Sequence, residues 1–208
     1  MSLNDTPRAN RLHIGLFGRR NSGKSSLVNA LTGQQVATVS AVPGTTTDPV
    51  YKAMELHGIG PVVFIDTAGF DDEGLLGKLR VEKTELAAKE TDIAVVLFSN
   101  KAMTEELGWV ERFRQAKTPV IAVISQTDDM ADGGQALARA VSEALTMTPL
   151  LVSARQGTGL DALRGELIRQ LPEDYEQRGI TGALCAAGDT VLLVMPQDIQ
   201  APKGRLIL

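Results

Sequence analysis

The sequence predicts an α/β fold: a mostly parallel six-stranded sheet with helices on both faces. Three observations carry that expectation. Short apolar runs alternate with amphipathic stretches of helical length. A glycine-rich turn follows the first apolar run at once. The composition, 43% hydrophobic and 22% charged over 208 residues, is that of an ordinary globular chain.

Leu12–Phe17 reads as the first strand, and Leu27, Val28 and Leu31 share one face of a helix from about Lys24 to Leu31. Thr32–Pro49 has neither period and carries Gly33, Pro43 and Gly44, so it is a long loop of the kind that carries function. Val50–His57 and Pro61–Ile65 form a strand pair joined near Gly58–Gly60. Ile93–Phe98, Val120–Ile124 and Pro149–Val152 are short buried strands, set among helices near 79–90, 104–116, 134–145 and 160–170. The organisation expected is a flexible N-terminus over 1–10, one domain over 11–172, a linker over 173–188 and the truncated start of a second domain over 189–208.

Composition also excludes classes of function. Lys and Arg total 21 against 25 Asp and Glu, for a net charge of −4, so a nucleic-acid coat is not expected. No apolar run approaches the ~20 residues that span a bilayer, and Met1–Asn10 lacks a secretory core, so no membrane partner is expected. Cys185 is the single cysteine; it can make no internal disulfide and cannot supply an iron–sulfur cluster, which fits the cytoplasm. His13 and His57 read as packed or exposed side chains rather than ligands.

The chemistry begins at Gly18-x-x-x-x-Gly23-Lys24-Ser25, a phosphate-binding P-loop with a strand before it and a helix after it. Backbone N–H groups from Asn21 to Ser26 can point at phosphate oxygens where the helix N-terminus adds partial positive charge. Lys24 is placed to reach the β- and γ-phosphates, and the Ser25 hydroxyl to ligate Mg2+. Asp66-Thr-Ala-Gly69 follows the strand Val62–Ile65; Asp66 can hold the magnesium shell and the Gly69 N–H can meet the γ-phosphate. Between them lies Gly44-Thr45-Thr46-Thr47, where Thr46, or its neighbour Thr45, can complete the Mg2+ shell.

Order and spacing resemble the translation-factor-like GTPases, which implies a P-loop GTPase (G) domain. In those proteins a base-reading NKxD and a final SAK follow. Here SAK reads Ser153-Ala154-Arg155, with the Ala154 N–H placed for the guanine O6, and NKxD reads Ser125-Gln126-Thr127-Asp128. The Asp128 carboxylate can accept from guanine N1–H and the exocyclic amine, and it repels adenine N1. Losing Asn and Lys is expected to lower affinity while guanine selectivity survives, each lost polar pair being worth roughly 1–3 kcal/mol by analogy with base-edge contacts.

Phe70 stands where Ras-like switches place the glutamine that orients water, so slow turnover is expected. In GTPases resembling the tRNA-modification enzyme MnmE, an asparagine at the position of Asn21 helps to hold K+, with the rest of the shell from carbonyls here around Ser40–Gly44. Asp71, Asp72, Glu73 and Glu82 are acids that could place the water.

Three longer stretches, Ile14–Leu56, Ile59–Thr84 and Asp189–Leu208, resemble HydF, the GTPase of FeFe-hydrogenase maturation. That resemblance implies a GTPase part of a scaffold that exchanges hydrogenase maturation proteins and apo-hydrogenase as partners in response to GTP or GDP. It also implies a possible homodimer through the domain that begins near the end of this chain. Two alternatives stand beside it: a GTPase of tRNA modification or ribosome assembly, and a nucleotide-sensing scaffold with negligible turnover.

Overall fold

The computed structural model describes residues 11–33, 50–67, 83–172 and 175. The chain divides into two units, Met1–Tyr175 and Glu176–Leu208, and the described residues all belong to the first. The expectations for 1–10, for most of the linker and for the start of a second domain fall outside the described residues.

Strand β1 (Leu12–Gly18) runs into helix α1 (Lys24–Thr32), followed by β2 (Val50–Leu56) and β3 (Gly60–Asp66). Residues 83–89 are helical (α2). Then come β4 (Ile93–Phe98), α3 (Thr104–Gln115), β5 (Val120–Ile124), a 3-10 turn over Thr127–Asp129, α4 (Gln135–Leu145), β6 (Leu150–Leu151) and α5 (Leu160–Arg169). The six strands form one sheet in the order β2-β3-β1-β4-β5-β6. Every pairing is parallel except β2 with β3, which is antiparallel. The last expected strand, Pro149–Val152, shortens to two residues because Val152 and Ser153 turn into the loop that carries Ala154.

Parallel strands bury both faces, which is why β4 is apolar and buried throughout its length. Alternate residues feed two cores. Ile14, Leu16, Val95 and Val123 pack under α1 and α5, against Leu27, Val28, Leu31, Leu163 and Leu167. Phe17, Val96, Phe98 and Ile124 pack under α3 and α4, against Trp109, Phe113, Leu137 and Val141. Phe17 lies edge-on to Phe113 at 4.7 Å between ring centroids and stacks on Trp109 at 5.4 Å. The edge strand β2 obeys the two-residue period: Lys52, Met54 and Leu56 turn inward while their neighbours face out.

Two details hold the chain against this sheet. Gly159 is forced by close approach, since a Cβ there would fall 2.0 Å from the Leu151 carbonyl oxygen. Beyond α5, the Tyr175 hydroxyl donates to the Ile59 carbonyl at 3.3 Å, returning the chain to the β2–β3 hairpin. Among the described residues no helix is long and apolar enough to cross a membrane.

Phe113 is 2% exposed, so Phe113→Ala leaves a void that its neighbours fill only in part. The expected loss is about 3–5 kcal/mol. Urea unfolding followed by the fluorescence of Trp109, the single tryptophan, should show a lower midpoint at an unchanged slope.

Candidate functional site

Because β1, β3, β4, β5 and β6 run the same way, their carboxyl ends share one rim of the sheet. Ligands in open α/β sheets gather there, at the point where strand order reverses, which here is the central strand β1. The register puts Leu16 beside Asp66 and Gly18 beside Leu97, so the P-loop and the Asp66 turn leave the sheet as neighbours.

Within the P-loop, Asn21 and Gly23 take left-handed backbone, with φ of 58° and 87°. Glycine does so freely and asparagine is among the side chains that tolerate it best. The Lys24 side chain is buried, and its Nζ donates to the carbonyls of Gly18 at 2.8 Å and Arg19 at 2.7 Å. The loop thus wraps around its own lysine. Ser22 is fully buried and its hydroxyl has no hydrogen-bond partner among the described residues, while Ser25 and Ser26 are exposed at the mouth.

The two side chains expected to serve magnesium meet directly: Ser25 Oγ donates to Asp66 Oδ2 at 2.6 Å. Two hard oxygen donors at the mouth of a phosphate loop are the kind of ligands Mg2+ takes, so the residues present fit the ion. Thr67 Oγ1 donates to the Leu16 carbonyl at 2.6 Å and pins the turn that carries Asp66. Thr46, Thr45, Gly69, Phe70, the carbonyls of Ser40–Gly44 and the acids Asp71, Asp72, Glu73 and Glu82 lie outside the described residues.

Beside the loop is a cavity of about 290 Å³ whose lining includes Leu27, Val152, Gln126, Asp128, Ala154 and Arg155. Apolar side chains together with a few polar groups suit a flat heterocycle. Ser153 Oγ donates to Asp128 Oδ1 at 2.5 Å, and Arg155 Nη1 sits 3.2 Å from Asp128 Oδ2. The Ser153 hydrogen bond, more than the Arg155 charge, holds the Asp128 carboxyl below its ordinary value of 3.8. Asp128 is therefore an ionised acceptor at neutral pH.

Three contacts escape the motif-by-motif reading. By residue type, Gln126 only loses the lysine that covers the base. Instead its stem lies over Gly23 and its Nε2 donates to the Asn21 carbonyl at 2.9 Å, so the loop that carries Gln126 and Asp128 is tied to the P-loop. Gln126 holds this position with a left-handed φ of 56°, a strained state that tends to persist where function requires it. Arg19 Nε meets Glu106 Oε1 at 3.1 Å, binding the P-loop to α3; burial raises the Glu106 carboxyl above its usual value, against the pull of its own backbone N–H and of Arg19. Finally, Lys52 Nζ lies 3.7 Å from Asp66 Oδ2. Its sequence signal was its place at an inward position of β2.

Residues 13–126 match the family described as 50S ribosome-binding GTPase. A tRNA modification GTPase MnmE from Janthinobacterium sp. (strain Marseille) is 38% identical over 176 residues, covering 81% of this chain and 36% of that protein. The MnmE of Paraburkholderia xenovorans (strain LB400) is 36% identical over 160 residues, covering 76% of this chain and 34% of that one. Among solved structures, Era from Aquifex aeolicus bound to GDP and AlF4− is similar with a TM-score of 0.65 at 26% identity, over 77% of this chain and 57% of that chain. The chain spans about a third of the length of the MnmE relatives.

These findings overturn the HydF resemblance, and with it the hydrogenase maturation proteins and apo-hydrogenase as partners. Two of the three stretches that carried it, Ile14–Leu56 and Ile59–Thr84, fall inside the span that the general GTPase domain accounts for. The third, Asp189–Leu208, lies outside the described residues. The inference from charge against nucleic acid also fails, since the relatives are named for tRNA modification. The net charge of a chain that spans about a third of those relatives' length does not describe what they bind.

Gln126→Ala removes one neutral hydrogen bond between loops, worth about 1 kcal/mol. GDP affinity should fall about fivefold by titration calorimetry, and Gln126→Lys should restore or exceed it. Ser153→Ala should raise the Asp128 titration midpoint toward 3.8, read by carboxyl NMR. The sign follows from linkage: a depressed carboxyl adds stability above 3.8 that disappears as pH falls through its folded value, and Ser153→Ala shrinks that contribution.

Proposed function

The chain belongs to the 50S ribosome-binding GTPase family, and from that premise we propose that it binds GTP and GDP with Mg2+ and hydrolyses GTP slowly, as the GTPase portion of a tRNA-modification protein. The observation that carries this reading is the meeting, on one rim, of the Lys24 loop, the Ser25–Asp66 pair and the Asp128–Ser153 pocket. The relatives' names carry the tRNA part of it. The GTPase fold implies a guanine nucleotide and magnesium. We keep the cytoplasmic location that the sequence suggests.

In this reading Lys24 exchanges the Gly18 and Arg19 carbonyls for the β- and γ-phosphates, and the N–H groups from Asn21 to Ser26 cradle them. Ser25, Asp66 and Thr46 hold Mg2+, which when bound neutralises charge on the phosphates. Asp128 reads the guanine edge, Ser153 holds Asp128 in place, and the Ala154 N–H faces the base carbonyl. The Gly69 N–H senses the γ-phosphate. Asn21 is assigned to K+. Its exposed side chain makes no hydrogen bond among the described residues, and only its carbonyl is engaged, by Gln126. A potassium ion there would supply positive charge near the phosphates, and such sites favour pairing of two GTPase domains into a homodimer. Slow turnover follows from Phe70, whose ring cannot orient water.

GTP hydrolysis measured in potassium and in sodium tests the assignment. Turnover should rise severalfold in potassium, Asn21→Ala should abolish that rise, and ATP should be inert. Nucleotide binding without turnover in either salt would leave a nucleotide-binding module and remove the hydrolytic reading.

A further inference from the structure

Strand β2 turns Lys52, Met54 and Leu56 toward the core. Met54 and Leu56 join the apolar cluster under α1, as the alternation requires, whereas the first inward place holds an ammonium. The Lys52 side chain is only 9% exposed, and its Nζ is buried without a hydrogen-bond partner among the described residues. A buried amine left unbonded is costly, so its position needs a reason. The register supplies one. Lys52 stands opposite Phe64 and Val50 opposite Asp66, so Lys52 and Asp66 are diagonal neighbours on the same face of the antiparallel pair. The ammonium lies 3.7 Å from Asp66 Oδ2, the same oxygen that accepts the Ser25 hydroxyl at 2.6 Å.

We infer that Lys52 is a resident cation that stands in for magnesium at Asp66 and thereby sets the Mg2+ concentration at which a nucleotide is locked into the site. This rests on the reading of Ser25 and Asp66 as magnesium residues. Without a divalent ion, Asp66 would face the phosphates as a bare negative charge, and Lys52 offsets it. With the ion bound, the same ammonium is a second positive charge at one carboxylate and opposes the metal electrostatically. Lys52 therefore weakens magnesium binding and steadies the metal-free complex. Its geometry suits an electrostatic partner, since at 3.7 Å it attracts Asp66 without a close hydrogen bond that would have to break.

The test is the dissociation rate of a fluorescent GDP from the protein as Mg2+ is varied, for wild type, Lys52→Met and Lys52→Arg. Lys52→Met keeps an unbranched side chain one atom shorter and removes the charge; taking one partner from a buried pair is destabilising, so a thermal melt checks that the variant folds, and Lys52→Arg, which keeps the charge, is the control. In Lys52→Met the midpoint of the magnesium effect should move at least threefold lower, and release in chelator should quicken severalfold. Lys52→Arg should stay near wild type. A midpoint that does not move, or that moves to higher magnesium, overturns the role of Lys52 while the Ser25–Asp66 site stands. Release from wild type that ignores magnesium altogether removes both readings.

Discussion

The parallel direction of five strands is the constraint on which everything else depends. It brings the ends of β1, β3, β5 and β6 to one rim, so loops far apart in the chain become neighbours without any contact having to be found one by one. It also requires both faces of the sheet to be covered, and the two apolar cores satisfy that demand with helices from alternate parts of the chain. The antiparallel β2 is the exception, an edge strand that places one inward-facing lysine against the rim.

Most of the fold was legible because it rests on local pattern. The unbroken apolar run Ile93–Phe98 could only be a strand buried on both faces, and Leu27, Val28 and Leu31 could share a core only as a helix. The P-loop was legible because phosphate binding restricts backbone as well as side chains. What escaped depended on pairs distant in sequence. The substitution of Gln126 looked like a loss when judged by residue type, yet its amide spans to Asn21, 105 residues earlier. Lys52 belongs to no nucleotide motif, and only the strand register shows that it reaches Asp66. The HydF resemblance fails for a related reason: two of its three stretches, Ile14–Leu56 and Ile59–Thr84, surround motifs that the general GTPase domain over residues 13–126 already accounts for.

Three carboxylates near the rim show how environment sets role. Asp66 is shared between a hydroxyl and an ammonium. Asp128 is held ionised chiefly by a serine, so acid removes its contribution only below 3.8. Glu106, 2% exposed, is shifted the opposite way by burial, so its contribution is present in acid and lost as pH rises through its raised value. Arg19 shares the Glu106 charge and carries the P-loop with it, so the loop is anchored on α3 as well as on β1.

The Gln126–Asn21 bond has a thermodynamic consequence for ligands that fill half of the site. It joins the Gln126 loop, proposed to face the base, to the P-loop, proposed to hold the phosphates. The entropy of ordering the two loops against each other is thus met during folding and not during binding. Whatever order remains to be gained is shared, so guanosine and pyrophosphate, added as separate fragments, should each favour the other's entry by the same factor.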